Sequence, residues 1–146
     1  MLALLGVTLF GVVAVLLGVR RTGVVPMPSS RSARRIIVEI LYDREGYEEI
    51  TDLGSGWGGL ARHAAKFFNV EVTGITVSRE QQQYAQERCD GLPVQIELMD
   101  YRDLDGQYHK VVSVGMFEHV GPKNYATYFD TALRLMKEDG LFLLHT

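Results

Sequence analysis

Several glycines and one acidic residue stand close together in the segment 52–59, DLGSGWGG. Glycine lets the backbone turn sharply and approach a ligand without a Cβ in the way. A helix that begins after such a turn presents free N–H groups to an electron-rich part of the ligand. The segment is therefore a candidate ligand-binding turn, and its predicted contacts are Asp52, Gly54, Ser55, Gly56, Trp57 and Gly58.

The position of Asp52 favours one kind of ligand. A dinucleotide site uses the same turn for a pyrophosphate, but it rarely has an acid two residues before the first glycine. S-adenosylmethionine (SAM) carries an ammonium and a sulfonium group, so a carboxylate at this position suits it better. The alternative is a tight turn that binds no ligand.

Two further loops carry polar side chains where a nucleoside would lie. SAM and NAD folds often place an acid at the end of the second strand for the ribose hydroxyls; Thr76 takes that place here and can still donate and accept hydrogen bonds. Ser78 and Gln81 have helix-cap spacing, which is their alternative role. Asp100 and Tyr101 suit the amine and the ring of an adenine, or a solvated turn. The predicted contacts in these loops are Thr76, Val77, Ser78, Gln81, Asp100 and Tyr101.

Glu118 stands among apolar and aromatic residues in the segment 114–122, VGMFEHVGP. A carboxylate is costly to bury without a partner, so Glu118 is a candidate for chemistry. His145 ends the last apolar run, and adjacent parallel strands would bring it near this loop. His63 and His109 have no such context. No metal site is predicted, because the histidines and the single cysteine lack metal-ligand spacing.

Short β-type runs alternate with helical patterns between residues 49 and 145. The predicted strands are Glu49–Leu53, Glu71–Ile75, Val94–Leu98, Lys110–Val114 and Leu141–His145. The predicted helices are Gly58–Phe68, one that begins at Ser78, and one that begins at Pro122, ends at Gly140 and has Tyr125, Phe129, Ala132 and Met136 on its core face. The alternation predicts an α/β fold with a mostly parallel sheet. Ligands of such sheets bind beyond the carboxyl ends of the strands.

The N-terminal segment differs sharply in composition. Leu2–Val19 has no charged residue and, as a helix, would span about 27 Å, close to the hydrocarbon thickness of a bilayer. We therefore predict a transmembrane anchor at 1–21, with a signal peptide or a buried helix as alternatives. Residues 22–32 are typical of a linker, and 33–146 form the predicted domain, which starts with an amphipathic helix at 33–42. The arginines after the apolar run favour a cytoplasmic domain in a single-pass membrane protein.

Composition restricts the partners. The formal net charge of −3 gives no basic surplus, so nucleic acid is not a predicted partner. One cysteine cannot form an internal disulfide. Ala14 and Gly18 make a small-xxx-small pair in the apolar segment, which leaves a homo-oligomer open.

The motifs DLGSGWGGLA, VTGITVSREQ, AQERC, GLPVQI, DYRDL, VVSVGMFEHVGPKNY and GLFLLHT follow one another between Asp52 and Thr146. In this succession the chain resembles the cyclopropane-fatty-acyl-phospholipid synthases and the related mycolic acid cyclopropane synthases. The resemblance implies a Rossmann-like class I methyltransferase fold with SAM as cofactor. It also implies transfer of the SAM methyl group to a cis double bond in an acyl chain of a membrane phospholipid, which gives a cyclopropane ring.

The resemblance further implies how the ring-closing proton is removed. In that family a bound bicarbonate ion is the base, held by a glutamate and a histidine that correspond to Glu118 and His145, with the backbone of Val114 nearby. The rings of Phe117 and Tyr101 could stabilise developing positive charge.

Two departures from the family pattern matter. Ser55 stands where the family usually has cysteine. The family also continues past Thr146 with elements that build the acyl pocket and supply a tyrosine to the bicarbonate site, so we expect a sheet truncated after about five strands. A SAM-dependent methyltransferase with another acceptor, and a SAM-binding fragment without activity, are the alternative functions.

Overall fold

The computed structural model describes residues 48–145. The predicted anchor at 1–21, the linker at 22–32 and the amphipathic helix at 33–42 lie outside these residues. Within residues 48–145, no helix is both long enough and apolar enough to cross a bilayer.

Five parallel strands form one sheet in the order β3-β2-β1-β4-β5. The strands are β1 Glu48–Asp52, β2 Val70–Thr76, β3 Val94–Leu98, β4 Tyr108–Val114 and β5 Met136–His145. The helices are α1 Gly59–Phe67, α2 Arg79–Arg88 and α3 Tyr125–Leu135, and short 3₁₀ turns occupy Tyr101–Asp103, Phe117–His119 and Pro122–Asn124. The predicted α/β fold with a parallel sheet is confirmed.

The strand order reverses between β1 and β4, because the chain moves outward from β1 to β3 and then returns to the other side of β1. Asp52 pairs with Val112 across this junction. In open α/β sheets the ligand crevice lies at such a reversal, beyond the carboxyl ends of the strands. The fold thus directs attention to the loops after β1 and β4.

Each face of the sheet has its own apolar cluster. On one face, Ala61 and Ala64 of α1 and Ala85 of α2 pack on Ile50 and Val112. On the other face, Tyr128 and Leu135 of α3 pack on Val111 and Leu53. Small alanines let α1 and α2 approach the sheet closely, whereas α3 fills its face with larger side chains. Because helices cover both faces, the central strand β1 buries the polar residues Thr51 and Asp52 together with Ile50.

The predicted core face of α3 is correct at Ala132, which is buried, and wrong by a fraction of a turn at its aromatic residues. Tyr125 and Phe129 are 37% and 40% exposed, whereas Tyr128 and Leu135 are fully buried. The ring of Tyr128 enters the core against Tyr101, at 5.6 Å between ring centroids. Tyr125 stays partly exposed and stacks on Phe117, with 4.5 Å between the ring centroids.

The end of α3 and the start of β5 also differ from the prediction. The helix ends at Leu135 instead of Gly140, and β5 begins at Met136 instead of Leu141. An irregularity in the pairing of β4 with β5 separates the Tyr108–Met136 pair from the Lys110–Leu141 pair. Gly140 lies in this irregularity, and a Cβ there would come within 2.8 Å of the Lys137 carbonyl oxygen. The glycine therefore permits a bulge in the strand and does not cap the helix.

Candidate cofactor cleft and acid–imidazole pair

A cleft of about 470 Å³ opens at the carboxyl ends of the strands, within the size range of small-ligand sites. It is lined by Leu53, Gly54, Gly56, Ile75, Thr76, Val77, Gln81, Asp100, Tyr101, Arg102, Gly115, Met116, His119, Val120 and Asn124. Seven of the predicted cofactor contacts lie on this lining: Gly54, Gly56, Thr76, Val77, Gln81, Asp100 and Tyr101. The remaining five, Asp52, Ser55, Trp57, Gly58 and Ser78, do not.

Asp52 lies beneath the glycine turn. Its carboxylate accepts hydrogen bonds from the Gly54 backbone N–H at 3.3 Å and from the Ser55 hydroxyl at 3.2 Å. The side chain is almost completely buried, and burial raises the pKa of Asp52 to about 6 even though both hydrogen bonds lower it. Asp52 therefore holds the shape of the turn, and its carboxylate is not part of the cleft surface.

Two glycines of the turn are required by close approach. A Cβ on Gly54 would lie 2.6 Å from the Cβ of Met116, which belongs to the loop after β4. Gly58 has a φ of +73° and lies against Ala85 of α2, whose Cβ would be 2.8 Å from an added methyl group. The turn is thus packed from both sides, by the β4 loop at Gly54 and by α2 at Gly58.

The loop after β2 is ordered by its own hydroxyl groups. The Thr76 hydroxyl donates to the Gln81 side-chain oxygen at 2.7 Å and accepts from the Ser78 backbone N–H at 3.2 Å. The Ser78 hydroxyl accepts from the Gln81 backbone N–H at 3.2 Å and so caps α2, as its alternative role predicted. Ser78 therefore serves the helix, while Thr76, Val77 and Gln81 face the cleft.

Arg102, which sequence reasoning missed, engages the Asp100 carboxylate. Its Nε and Nη2 atoms donate to the two carboxylate oxygens at 2.8 Å each, and this pairing lowers the pKa of Asp100. The Arg102 guanidinium also lies 5.7 Å from the centre of the Tyr101 ring. Asp100 and Tyr101, the two residues proposed to receive an adenine, therefore both contact the Arg102 guanidinium.

Trp57 projects away from the cleft. Its side chain is 54% exposed and meets Tyr84 of α2 edge to face, with 5.5 Å between the ring centres. Trp57 follows Gly56, which does line the cleft. The turn therefore presents glycine backbone to the cleft and the Trp57 side chain to the outside.

Glu118 and His145 are brought together beside the cleft, without lining it. The Gly115 backbone N–H donates to the His145 carbonyl oxygen at 3.0 Å, which joins the β4 loop to the tip of β5. Burial lowers the pKa of His145, and the nearby Glu118 charge opposes that shift. The Oε2 atom of Glu118 and the Nδ1 atom of His145 are both buried without a hydrogen-bond partner in the described part of the chain.

Such orphaned polar atoms indicate a missing partner, because burying them unpaired costs free energy. A carboxylate oxygen accepts hydrogen bonds, and an imidazole N–H donates them. The pair therefore suits a small group that has both an O–H and an acceptor oxygen.

Phe117, which precedes Glu118, is covered on one side. Its ring stacks on Tyr125 at 4.5 Å between centres and also contacts Tyr128 at 5.0 Å. Tyr101 is buried against the same Tyr128. Both rings proposed to face developing positive charge are thus held in one aromatic cluster.

The apolar lining of the cleft also went unrecognised in the sequence. Leu53 and Ile75 were predicted as ends of strands; both are almost completely buried and form part of the inner wall of the cleft. Met116, His119 and Val120 belong to the VGMFEHVGP segment that drew attention for Glu118 alone. Their position in the same loop as Glu118 was the feature of the sequence that could have identified these three residues as part of the cleft.

The fold is that of the Rossmann-like methyltransferases. A mycolic acid cyclopropane synthase solved in complex with SAH and CTAB superimposes with a TM-score of 0.71 and 26% identity, over 77% of this chain and 41% of that one. A coclaurine N-methyltransferase bound to N-methylheliamine and SAH matches with a TM-score of 0.68 and 28% identity, over 78% of this chain and 35% of its own.

Sequence relationships identify the family. A model described as mycolic acid cyclopropane synthetase matches residues 30–146. The cyclopropane-fatty-acyl-phospholipid synthase of Escherichia coli (strain K12) is 53% identical over 121 residues, which are 82% of this chain and 31% of the relative. The chain therefore belongs to the mycolic acid cyclopropane synthetase family, which confirms the resemblance seen in its motifs. It spans about a third of the length of the curated relatives that it matches.

Proposed function

We propose that this chain provides the SAM-binding part of an enzyme that builds a cyclopropane ring at a cis double bond in a phospholipid acyl chain. The observation that carries the proposal is the placement of two orphaned polar atoms, Glu118 Oε2 and His145 Nδ1, beside a cleft formed by a glycine turn. The names of the relatives support this choice of reaction and substrate.

The residues present fit SAM. The turn after β1 supplies glycine backbone to the floor of the cleft, Thr76 and Gln81 supply polar atoms at its side, and Asp100 supplies a carboxylate. When bound, SAM supplies an electrophilic methyl group. The chain's own part is to hold the cofactor against the β4 loop, where Met116 packs directly on Gly54 and both residues line the cleft.

The acid–imidazole pair fits bicarbonate. The Glu118 carboxylate would accept the O–H of the ion, and the His145 ring would donate to one of its oxygens. The backbone of Val114, which lies in register with His145, would stand beside the ion. When bound, bicarbonate supplies a base for proton removal. Because bicarbonate and the Glu118 carboxylate are both negatively charged, the ion would need hydrogen-bond donors around it. The His145 imidazole is placed to provide one of them.

Location and assembly belong to the same proposal. The acceptor is an acyl chain of a membrane phospholipid, so the domain at 33–146 would act at a bilayer. The anchor at 1–21 and the linker at 22–32 would hold it there on the cytoplasmic side. A homo-oligomer remains a prediction from the small residues of the apolar segment.

Methyl-labelled SAM and vesicles of unsaturated phospholipid test the function. We expect the full chain to transfer label into the acyl fraction, with the product one CH₂ heavier by mass spectrometry. Calorimetric binding of SAM without any transfer would contradict the enzymatic part and assign the chain as a SAM-binding fragment.

A SAM-dependent methyltransferase with another acceptor is the second candidate, favoured by the structural match to a coclaurine N-methyltransferase. In that case label would appear on an amine or another nucleophile and not on an acyl chain. Mass analysis of the same reaction separates the two functions.

A further inference from the structure

We propose that Trp57, Arg62, Tyr84 and Arg88 form a docking surface for the anionic face of a phospholipid bilayer. We call these four residues the Trp57 patch. The proposal rests on the proposed function in so far as the acceptor is a phospholipid.

The aromatic part of the patch is exposed and organised. Trp57 and Tyr84 are 54% and 50% exposed, and their rings meet edge to face at 5.5 Å. Exposed apolar side chains that adjoin each other and are rimmed by polar residues are typical of interaction surfaces. Trp and Tyr combine an apolar ring with a polar tip, and they favour the headgroup level of a bilayer for that reason.

Two arginines frame these rings. The Arg88 guanidinium lies 5.9 Å from the centre of the Tyr84 ring, and its Nη1 donates to the Trp57 carbonyl oxygen at 3.5 Å. The Nε of Arg62 donates to the Arg88 carbonyl oxygen at 3.0 Å. These contacts hold the turn after β1, α1 and the end of α2 in one surface.

The positive charges of the patch are not neutralised locally. Within residues 48–145, neither Arg62 nor Arg88 forms an ion pair with a carboxylate; their hydrogen bonds go to backbone carbonyls. Glu87 lines a depression of α2 with Gln83 and Asp90. Glu80, one turn before Tyr84 on α2, accepts a hydrogen bond from the Ser78 hydroxyl at 2.8 Å. The patch is therefore basic in a chain of formal net charge −3.

This combination selects the occupant by charge complementarity. Guanidinium groups bind phosphate oxygens in paired hydrogen bonds, and basic residues near an anionic leaflet each add binding free energy. Aromatic rings between such arginines match the boundary between headgroups and acyl chains. Trp57 directly follows Gly56 of the cleft lining, so docking here would place the cleft close to the lipid surface.

Trp57 provides the test, because it is the chain's single tryptophan. The full chain is mixed with vesicles of phosphatidylcholine alone, or of phosphatidylcholine with phosphatidylglycerol, and some carry bromine on the acyl chain near the headgroup. We expect a blue shift of Trp57 emission and quenching by bromine with the anionic vesicles, both weakened by salt. Vesicle binding alone is not the readout, since the apolar segment 2–19 can also attach the chain.

Variants separate the patch from general electrostatics. Arg88→Gln is expected to weaken the quenching titration about fivefold, and Tyr84→Ser to reduce the blue shift. The control is Lys66→Gln, which changes another exposed cation over an aromatic ring, 5.5 Å from Phe67 at the far end of α1. We expect the control to titrate like the unmodified chain.

Several outcomes would overturn the proposal. Trp57 could remain unquenched by either kind of vesicle, Lys66→Gln could weaken quenching as much as Arg88→Gln, or an oligonucleotide could quench more strongly than anionic vesicles. Methyl transfer measured on the same vesicles keeps the two proposals distinct. Quenching without transfer contradicts the proposed function alone, and transfer with Trp57 unquenched contradicts the patch alone.

Discussion

The Ser55 hydroxyl donates a hydrogen bond to the Asp52 carboxylate at 3.2 Å, beneath the turn that borders the cleft. Burial of this carboxylate raises its pKa from 3.8 to about 6. The ionised form is therefore less favourable in the folded chain than in the unfolded one.

This relationship predicts a pH dependence of stability. Below pH about 4 the Asp52 carboxyl is protonated in both the folded and the unfolded chain, so the free energy of unfolding does not depend on pH through this group. As the pH rises from about 4 to about 6 the unfolded state releases its proton first, so the contribution of Asp52 to stability falls, by about 3 kcal/mol in total. We expect Asp52→Asn to remove this decline in the free energy of unfolding, measured by denaturant titration at several pH values.

The matched control for Asp52 is Asp90→Asn, which changes an exposed aspartate. We expect the control to follow the unmodified chain across the same pH range. Identical pH profiles for Asp52→Asn and the unmodified chain would contradict the buried, proton-retaining state of Asp52.

Gly54 predicts a steric dependence of SAM binding. A methyl group at this position would lie 2.6 Å from the Met116 Cβ and 3.1 Å from its Cγ, so Gly54→Ala must displace the β4 loop that forms the other wall of the cleft. We expect SAM affinity to fall about tenfold or more, or about 1.4 kcal/mol, measured by calorimetry.

A second substitution isolates the cause. Met116→Gly removes the two atoms that meet the new methyl group, so Gly54→Ala combined with Met116→Gly should recover affinity relative to Gly54→Ala. If the double variant binds no better than Gly54→Ala, the clash is not the reason for the loss.

The third prediction concerns Glu118. Glu118→Gln should abolish ring formation while SAM affinity stays unchanged, because Glu118 lies beside the cleft and not on its lining. It should also lower the pKa of His145 further, since the Glu118 charge opposes the lowering by burial. Product analysis, calorimetry and an NMR titration of the His145 ring protons measure the three effects.

Glu138→Gln serves as the comparison, because Glu138 is an exposed acid on β5. A collapse of SAM binding in Glu118→Gln would place this carboxylate in the cofactor site instead. An unmoved His145 titration would mean that the two side chains do not interact.

Tyr128 gives a prediction on stability alone. Its side chain is fully buried, and burial raises the pKa of Tyr128 to about 12 although the nearby Ser113 hydroxyl opposes the rise. Neither hydroxyl makes a hydrogen bond of good geometry within residues 48–145. Tyr128→Phe keeps the ring and removes an unsatisfied polar atom, so we expect stability to be unchanged or to rise by up to about 1 kcal/mol. Tyr128→Leu, which loses the ring contacts, should be destabilised in the same denaturant titration; a large loss in Tyr128→Phe would show that the hydroxyl has a partner.

Sequence reasoning located the strands well, because β1 to β4 contain the β-branched residues Val, Ile and Thr and lie between helical or turn segments. It misplaced the core face of α3, where Tyr125, Tyr128 and Phe129 are all aromatic and periodicity alone admits two faces. Tertiary packing decides between these faces, since Tyr128 enters the cluster around Tyr101 and Phe117.

The candidate site shows a similar division. The motif identified the turn, but a carboxylate beside a turn can face the ligand or the core, and only the fold shows that Asp52 faces inward. Arg102 was missed because its role depends on geometry with Asp100. Glu118 and His145 are 27 positions apart in the sequence, and the register of β4 with β5 is what joins them.

His145 stands on β5, which among the described residues pairs with β4 alone. Outer strands open before inner ones when a fold is partially destabilised. Mild denaturant or heat should therefore detach the imidazole from its glutamate while the glycine turn, borne by the central strand β1, keeps its shape. The proposed removal of the ring-closing proton would then be lost before SAM binding is lost. Amide hydrogen exchange along β5 would show the denaturant concentration or temperature at which this strand opens.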